Sequence, residues 1–313
     1  MATPKTFPIA LAHGIARFDI LREIVLQNKK PNPISKFFNS LLDRLAGRGV
    51  KTDMLHYFRG IRSHLQDAGF SAHHTSAGFG ESLQTRAGLL KTQLEGILAS
   101  TGAEKIHIVA HSMGGLDARF VIAKLGMAGR VASLTTIGTP HFGSSFADFM
   151  LNEKGSNDLI KLVAPVIDLG GFRDLTRDAC RRFGDEVRNA EAASGVFYQT
   201  YASSEARQQV YIFLQHSWDV IKKAEGENDG LVSLTSQAWQ AEVVGDGGVV
   251  NKVVQKKFPV PADHLNEVGW WDPNEIHGTG PLHRLGAHDK YEDAIRNVYR
   301  DIAKDLRARF PVA

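Results

Sequence analysis

The chain has 313 residues, 43% hydrophobic and 23% charged, and a net charge of +3, with acids and bases interspersed. That composition supports a sizeable buried core and shows no electrostatic footprint for nucleic acid. A single cysteine, Cys180, excludes a disulfide within the chain and any cysteine-based zinc cage. No apolar stretch approaches the ~20 residues that cross a bilayer.

The first strand-like run, residues 7–12, begins so early that no secretory leader is visible. The expectation is a cytoplasmic chain or the mature form of a secreted one. Helical periodicity follows at 58–67, then strand at 70–75, helix at 84–99, strand at 105–110, helix at 116–125 and strand at 131–137. A helix at 173–193 and strands at 196–202 and about 249–258 continue the alternation. The final helix, 291–310, places Ile295, Val298, Ile302 and Leu306 on one face, which suits packing across a sheet. Short apolar strands alternating with helices predict an α/β fold, a mostly parallel central sheet flanked by helices. With no repeat and no low-complexity linker, residues 1–313 read as one domain.

Two segments interrupt the alternation. Residues 20–53 carry Pro31 and Pro33, then the amphipathic stretch around Phe37-Phe38 and Leu41-Leu42. Residues 144–171 hold two apolar helical patches, around Phe146 to Leu151 and Leu159 to Ile167. The first reads as an inserted cap segment and the second as a helical lid, either of which would cover an apolar substrate. The same patches also suit ordinary core helices.

The chemistry centres on Ala110-His111-Ser112-Met113-Gly114, directly after the β-branched run 106–109 and directly before a helical stretch. Strand, sharp turn and helix form a nucleophile elbow, which needs small residues two before and two after the serine because strand and helix nearly touch. Ala110 and Gly114 meet that need, alanine standing where glycine is more usual. Ser112 is therefore the candidate nucleophile.

A serine nucleophile requires a base, an acid to orient the base, and donors for the oxyanion. Asp229, in the turn-forming Asn228-Asp229-Gly230, is the first choice for the acid and Asp219 the second. His264 follows a strand-like run and Pro261, as a loop histidine at a strand's carboxyl end should. His277, His283 and His288 lack diagnostic ligand spacing and, like His73-His74, read as solvated loop residues. The backbone N–H of Met113 is one candidate oxyanion donor. Ile15 supplies the other, after the turn His13-Gly14 that ends the first strand. Cys180, in a charged run far from these motifs, reads as an inert packed thiol.

On these residues the chain resembles the α/β-hydrolases, specifically bacterial triacylglycerol lipases of the Pseudomonas and Burkholderia type and related fungal lipases. The matching pieces are Pro8 to Gly14, Tyr57-Phe58 with Gly60-Ile61, Val109 to Gly115, Ile137 to Ser144, Asn228 to Ser233, Ser236 to Trp239 and His264 to Val268. The resemblance implies Ser112 as nucleophile, Asp229 as acid, His264 as base, Ile15 and Met113 as oxyanion donors, and a lid between 147 and 171. It implies a lipase or esterase acting on lipid-like acyl esters, at a lipid–water interface, through an acyl-enzyme and without a cofactor. Acyltransferase or thioesterase chemistry on the same triad, or a low-turnover binding protein of the same fold, are the alternatives. The family's calcium site takes a carboxylate two residues after the histidine. Here that position is Asn266, a weaker ligand for a hard cation, so tightly bound calcium is not expected.

Overall fold

A computed structural model describes residues 6–15, 53, 56–78, 81–152, 169–270 and 281–312. The elements run β1 (Ile9–Ala12), α1 (Ile61–Asp67), β2 (Ala72–His74), α2 (Leu83–Thr101), β3 (Ile106–His111), α3 (Met113–Lys124) and β4 (Val131–Ile137). They continue with α4 (Ser145–Asn152), α5 (Arg177–Ala193), β5 (Phe197–Ala202), α6 (Gln215–Ala224), α7 (Leu234–Ala238), β6 (Glu242–Val244), β7 (Val250–Lys257) and α8 (Pro281–Arg309). Seven strands form one sheet in the order β2-β1-β3-β4-β5-β7-β6, with every pairing parallel except β6 on β7.

Side chains alternate across the strands, and the two faces bury different cores. Ile9 and Leu11 of β1 and Val109 of β3 join the cluster that holds Ile61, Ile295, Tyr299 and Leu306 of α1 and α8. Ala10 and Ala12, with Ile108 and Ala110, face Leu90 and Leu94 of α2 and Val121 of α3 instead. Those alanines let α2 and α3 lie close against the sheet. α2 begins where the Ser82 side chain accepts from the Thr85 N–H, and its buried residues recur at 83, 87, 90, 94 and 97, the helical spacing.

All six expected strands form: β4 spans the expected 131–137, β3 is shifted by one residue, and the other four are shortened at one or both ends. β6 is the strand missing from the sequence reading: three residues, of which only Val243 is buried, carry no period that could be recognised. The last helix starts at Pro281, ten residues earlier than its periodicity suggests, a position that suits proline in a first turn. His73 and His74 lie on β2 and are half-buried, not in a solvated loop; burial pushes His74 down to about 4. The 20–53 segment, apart from Asp53, lies outside the described residues, as does the central part of 144–171. Of the latter, α4 and the turn at Leu169–Leu175 are described. No helix among the described residues is long and apolar enough to cross a membrane.

Candidate active site

Ser112 stands at the carboxyl end of β3, the third strand from the β2 edge, and caps the start of α3. Its backbone sits at φ 56° and ψ −135°, a conformation that L-residues rarely adopt. Three hydrogen bonds hold it there: Ser112 N–H to the Ile137 carbonyl at 3.0 Å, Gly115 N–H to the Ser112 carbonyl at 3.0 Å, and Thr139 Oγ1–H to that same carbonyl at 2.9 Å. A Cβ at position 114 would lie 2.5 Å from the Ala12 carbonyl oxygen, so glycine there is a steric necessity. One at position 14 would lie 2.7 Å from Ser112 Cβ. The loop after β1 therefore runs directly against the serine, where the sequence placed it.

Asp229 and His264 come together from different loops. His264 Nδ1 lies 2.7 Å from Asp229 Oδ2, and the His264 backbone N–H donates to the Asp229 carbonyl at 2.8 Å. The other carboxylate oxygen accepts the N–H groups of Leu231 and Val232 at 2.8 and 2.7 Å, so the acid is fully buried yet satisfied on both oxygens. A carboxylate at Nδ1 can only accept, so Nδ1 carries the proton and Nε2 keeps its lone pair. Asp219, the second choice, is instead paired at the surface with Arg207. Ser112 and His264 line one pocket together with Ile15 and Tyr57, and apart from Ser144 the remaining wall is apolar, with Phe146, Phe172 and Phe213 prominent.

Residues 70–154 match the family described as PGAP1-like alpha/beta domain. Among solved structures, the metagenomic carboxyl esterase MGS0156 superposes over 97% of this chain and 76% of its own, with a TM-score of 0.62 and 16% identity. The chain has the α/β-hydrolase fold.

Among curated relatives, triacylglycerol lipase 2 of Saccharomyces cerevisiae is 29% identical over 255 residues, 75% of this chain and 76% of its own length. A triacylglycerol lipase of Burkholderia plantarii is 40% identical over 113 residues, 35% of this chain but only 31% of its own length. Bacterial and yeast lipases are thus both similar to this chain.

A second polar chain lies behind the histidine, assembled from residues whose motifs carried no assigned role. Tyr57 Oη is 2.7 Å from His111 Nδ1, and His111 Nε2 is 2.9 Å from Glu267 Oε2. The His111 ring lies 4.5 Å from the His264 ring. Burial, then the nearby carboxylates of Asp229 and Asp263, push Glu267 well above the usual carboxyl range, and burial pushes His111 well below the usual imidazole range. Both shifts favour the neutral form of each partner in this hydrogen bond. Ligand atoms of His111, His264 and Glu267 lie within 4.8 Å of one another, the only such metal-sized group among the described residues. His264 Nδ1 and both His111 nitrogens are already engaged in hydrogen bonds. Cys180 is buried, its thiol pushed up to about 12, which leaves no thiolate at neutral pH.

The upward shift of the Glu267 carboxyl has a consequence for stability. Above the ordinary glutamate range the folded chain keeps a proton that the unfolded chain releases, so stability falls as pH rises, by at most ~1.4 kcal/mol per pH unit for one group. Glu267→Gln mimics the protonated acid and keeps the donor to His111. We expect the urea midpoint of the parent to fall between pH 5 and 9 and that of the variant to fall less. An identical slope in both would assign the effect to Asp263, raised to about 7 by burial foremost.

Proposed function

We propose that the chain is a carboxylic ester hydrolase acting on lipid-like acyl esters through a Ser112, His264 and Asp229 triad. The observation that carries this reading is the buried 2.7 Å pairing of Asp229 with His264 in a pocket shared with a serine at φ 56°. His264 Nε2 takes the Ser112 proton as Oγ attacks the ester carbonyl, and Asp229 keeps the imidazole in the productive tautomer. The N–H groups of Ile15 and Met113 receive the developing oxyanion, each worth about 3 kcal/mol to the transition state. His264 then protonates the leaving alcohol, and water, activated by the same histidine, releases the acid and restores Ser112.

An apolar wall supports an acyl chain as the group accommodated beside Ser112. Phe142, Leu151 and Ile212 are exposed apolar side chains, in keeping with work at a lipid–water interface. The lipase names of the yeast and Burkholderia relatives point to the same substrate class.

Two measurements test the reading. Diethyl p-nitrophenyl phosphate is expected to release one equivalent of nitrophenol, abolish turnover and leave a diethylphosphoryl group on the Ser112 peptide. Initial rates on p-nitrophenyl esters from acetyl to palmitoyl are expected to persist to long chains. Activity confined to acetyl and butyryl esters would make the enzyme a short-chain esterase. No turnover on any ester and no labelling of Ser112 would overturn the proposal.

A further inference from the structure

Arg86 lies in α2, distant in sequence from the triad, and its side chain is completely buried. Its guanidinium meets the Asp117 carboxylate of α3, with Nη2 and Nε 2.7 and 3.0 Å from Oδ2. The remaining donors do not go to helix residues. Nη2 also donates to the His13 carbonyl at 2.9 Å and reaches the Gly14 carbonyl at 3.4 Å, and Nη1 donates to the Gly78 carbonyl.

The C=O and N–H of one planar trans peptide unit point in opposite directions. The Gly14 carbonyl and the Ile15 N–H belong to one such unit. Holding that carbonyl on the α2 side turns the Ile15 N–H the other way. The carbonyl is held a second time, 2.6 Å from His13 Nδ1. His13 Nε2 accepts the Ala77 N–H at 3.0 Å, so Nδ1 is the protonated nitrogen and donates. Burial, helped by the charge of Arg86, pushes His13 down to about 3, which keeps this tautomer in place at neutral pH. Asp117 lies one helical turn beyond Met113 in α3. A single ion pair therefore ties the loop that bears one oxyanion donor to the helix that bears the other.

We propose that Arg86 and Asp117 are positioning residues of the oxyanion site, holding the Gly14–Ile15 peptide so that the Ile15 and Met113 N–H groups converge. The inference rests on the Ser112 mechanism. Preorganised donors act mainly where charge develops, so their loss falls on kcat rather than KM.

The test is the double variant Arg86→Gln/Asp117→Asn, which removes both charges and strands neither. It is compared with the parent on p-nitrophenyl butyrate and against n-butylboronic acid. Ser112 Oγ bonds to the boron of that probe while His264 takes the hydroxyl proton, giving an anionic tetrahedral adduct. We expect kcat at least tenfold lower, KM within twofold of the parent, and a boronate Ki raised by the same factor as kcat falls. A variant folded by near-UV circular dichroism with parental kcat and Ki overturns the proposal. Should the double variant not fold, Arg86→Lys decides the question. Lysine keeps the charge pair with Asp117, but its one nitrogen cannot also span the His13 and Gly14 carbonyls. A tenfold loss of kcat with unchanged KM supports the proposal, and parental kcat overturns it. Failure of the underlying mechanism would show differently, as parental turnover that survives Ser112→Ala.

Discussion

Ser112→Ala is expected to lower kcat on p-nitrophenyl butyrate by about 10⁵- to 10⁶-fold, with substrate binding little changed. The pocket's other serine, Ser144, donates its hydroxyl to the Leu231 carbonyl at 2.7 Å, and the buried Cys180 does not line the pocket. What survives is the contribution of the oxyanion donors and of binding alone. The strained backbone adds a second expected result. At φ 56° and ψ −135° glycine is at ease where alanine is not, so Ser112→Gly should be more stable than Ser112→Ala by about 1 kcal/mol. Steady-state kinetics and urea melts of the two variants measure both effects. Turnover within tenfold of the parent in either variant would remove Ser112 from the mechanism.

Arg119→Met should have the largest effect on stability. Arg119 of α3 grips Glu191 of α5 with Nε–Oε1 at 2.6 Å and Nη2–Oε2 at 3.0 Å, and both side chains are 1% exposed. The guanidinium also lies between aromatic faces, 4.2 Å from the Trp239 ring centroid and 4.9 Å from that of Phe183. His141 also stacks on Trp239, its ring 4.5 Å away, and its Nδ1 lies 3.4 Å from Arg119 Nη1. Methionine fills much of the volume but leaves the Glu191 carboxylate buried without its charge partner. Removing one member of such a pair costs about 3–5 kcal/mol, or roughly 6–15 °C in Tm for a chain of this size. The double variant Arg119→Met/Glu191→Leu should recover most of that loss, because the cost arises from the stranded charge. At 15 °C, kcat of Arg119→Met should stay within about twofold of the parent, since none of the groups placed at the reaction is altered. A Tm within 2 °C of the parent would show that Glu191 finds other partners or solvent.

Much of the architecture was legible along the chain because strands and helices announce themselves within a few residues. Runs such as 106–110 and 131–137 are buried at every position and rich in apolar residues because they are covered on both faces, whereas Ile295 to Leu306 repeat at helical spacing because only one face of α8 is buried. The elbow was equally legible, since the strain at Ser112 and the crowding at Gly114 are met by residue types within one pentapeptide. Asp229 stood out from Asp219 on turn chemistry alone, and the structure seats it, not Asp219, against His264.

Local pattern had no means of finding β6, which is too short for any period to emerge. Nor could it pair Arg86 with Asp117, Arg119 with Glu191, or Tyr57 with His111 and Glu267. Each of these residues is an ordinary polar side chain at an ordinary helix, strand or loop position. A short range of φ, ψ and apolar spacing is enough to decide which segments become strands, where the chain turns sharply and which serine is held under strain. Those were properties of the sequence itself. The partner of a buried polar group depends instead on which loops the strand order gathers at the carboxyl ends of β1, β3 and β4. Removal from water then makes any unpaired alternative costly, and that selection exists only once the sheet has closed over its two cores.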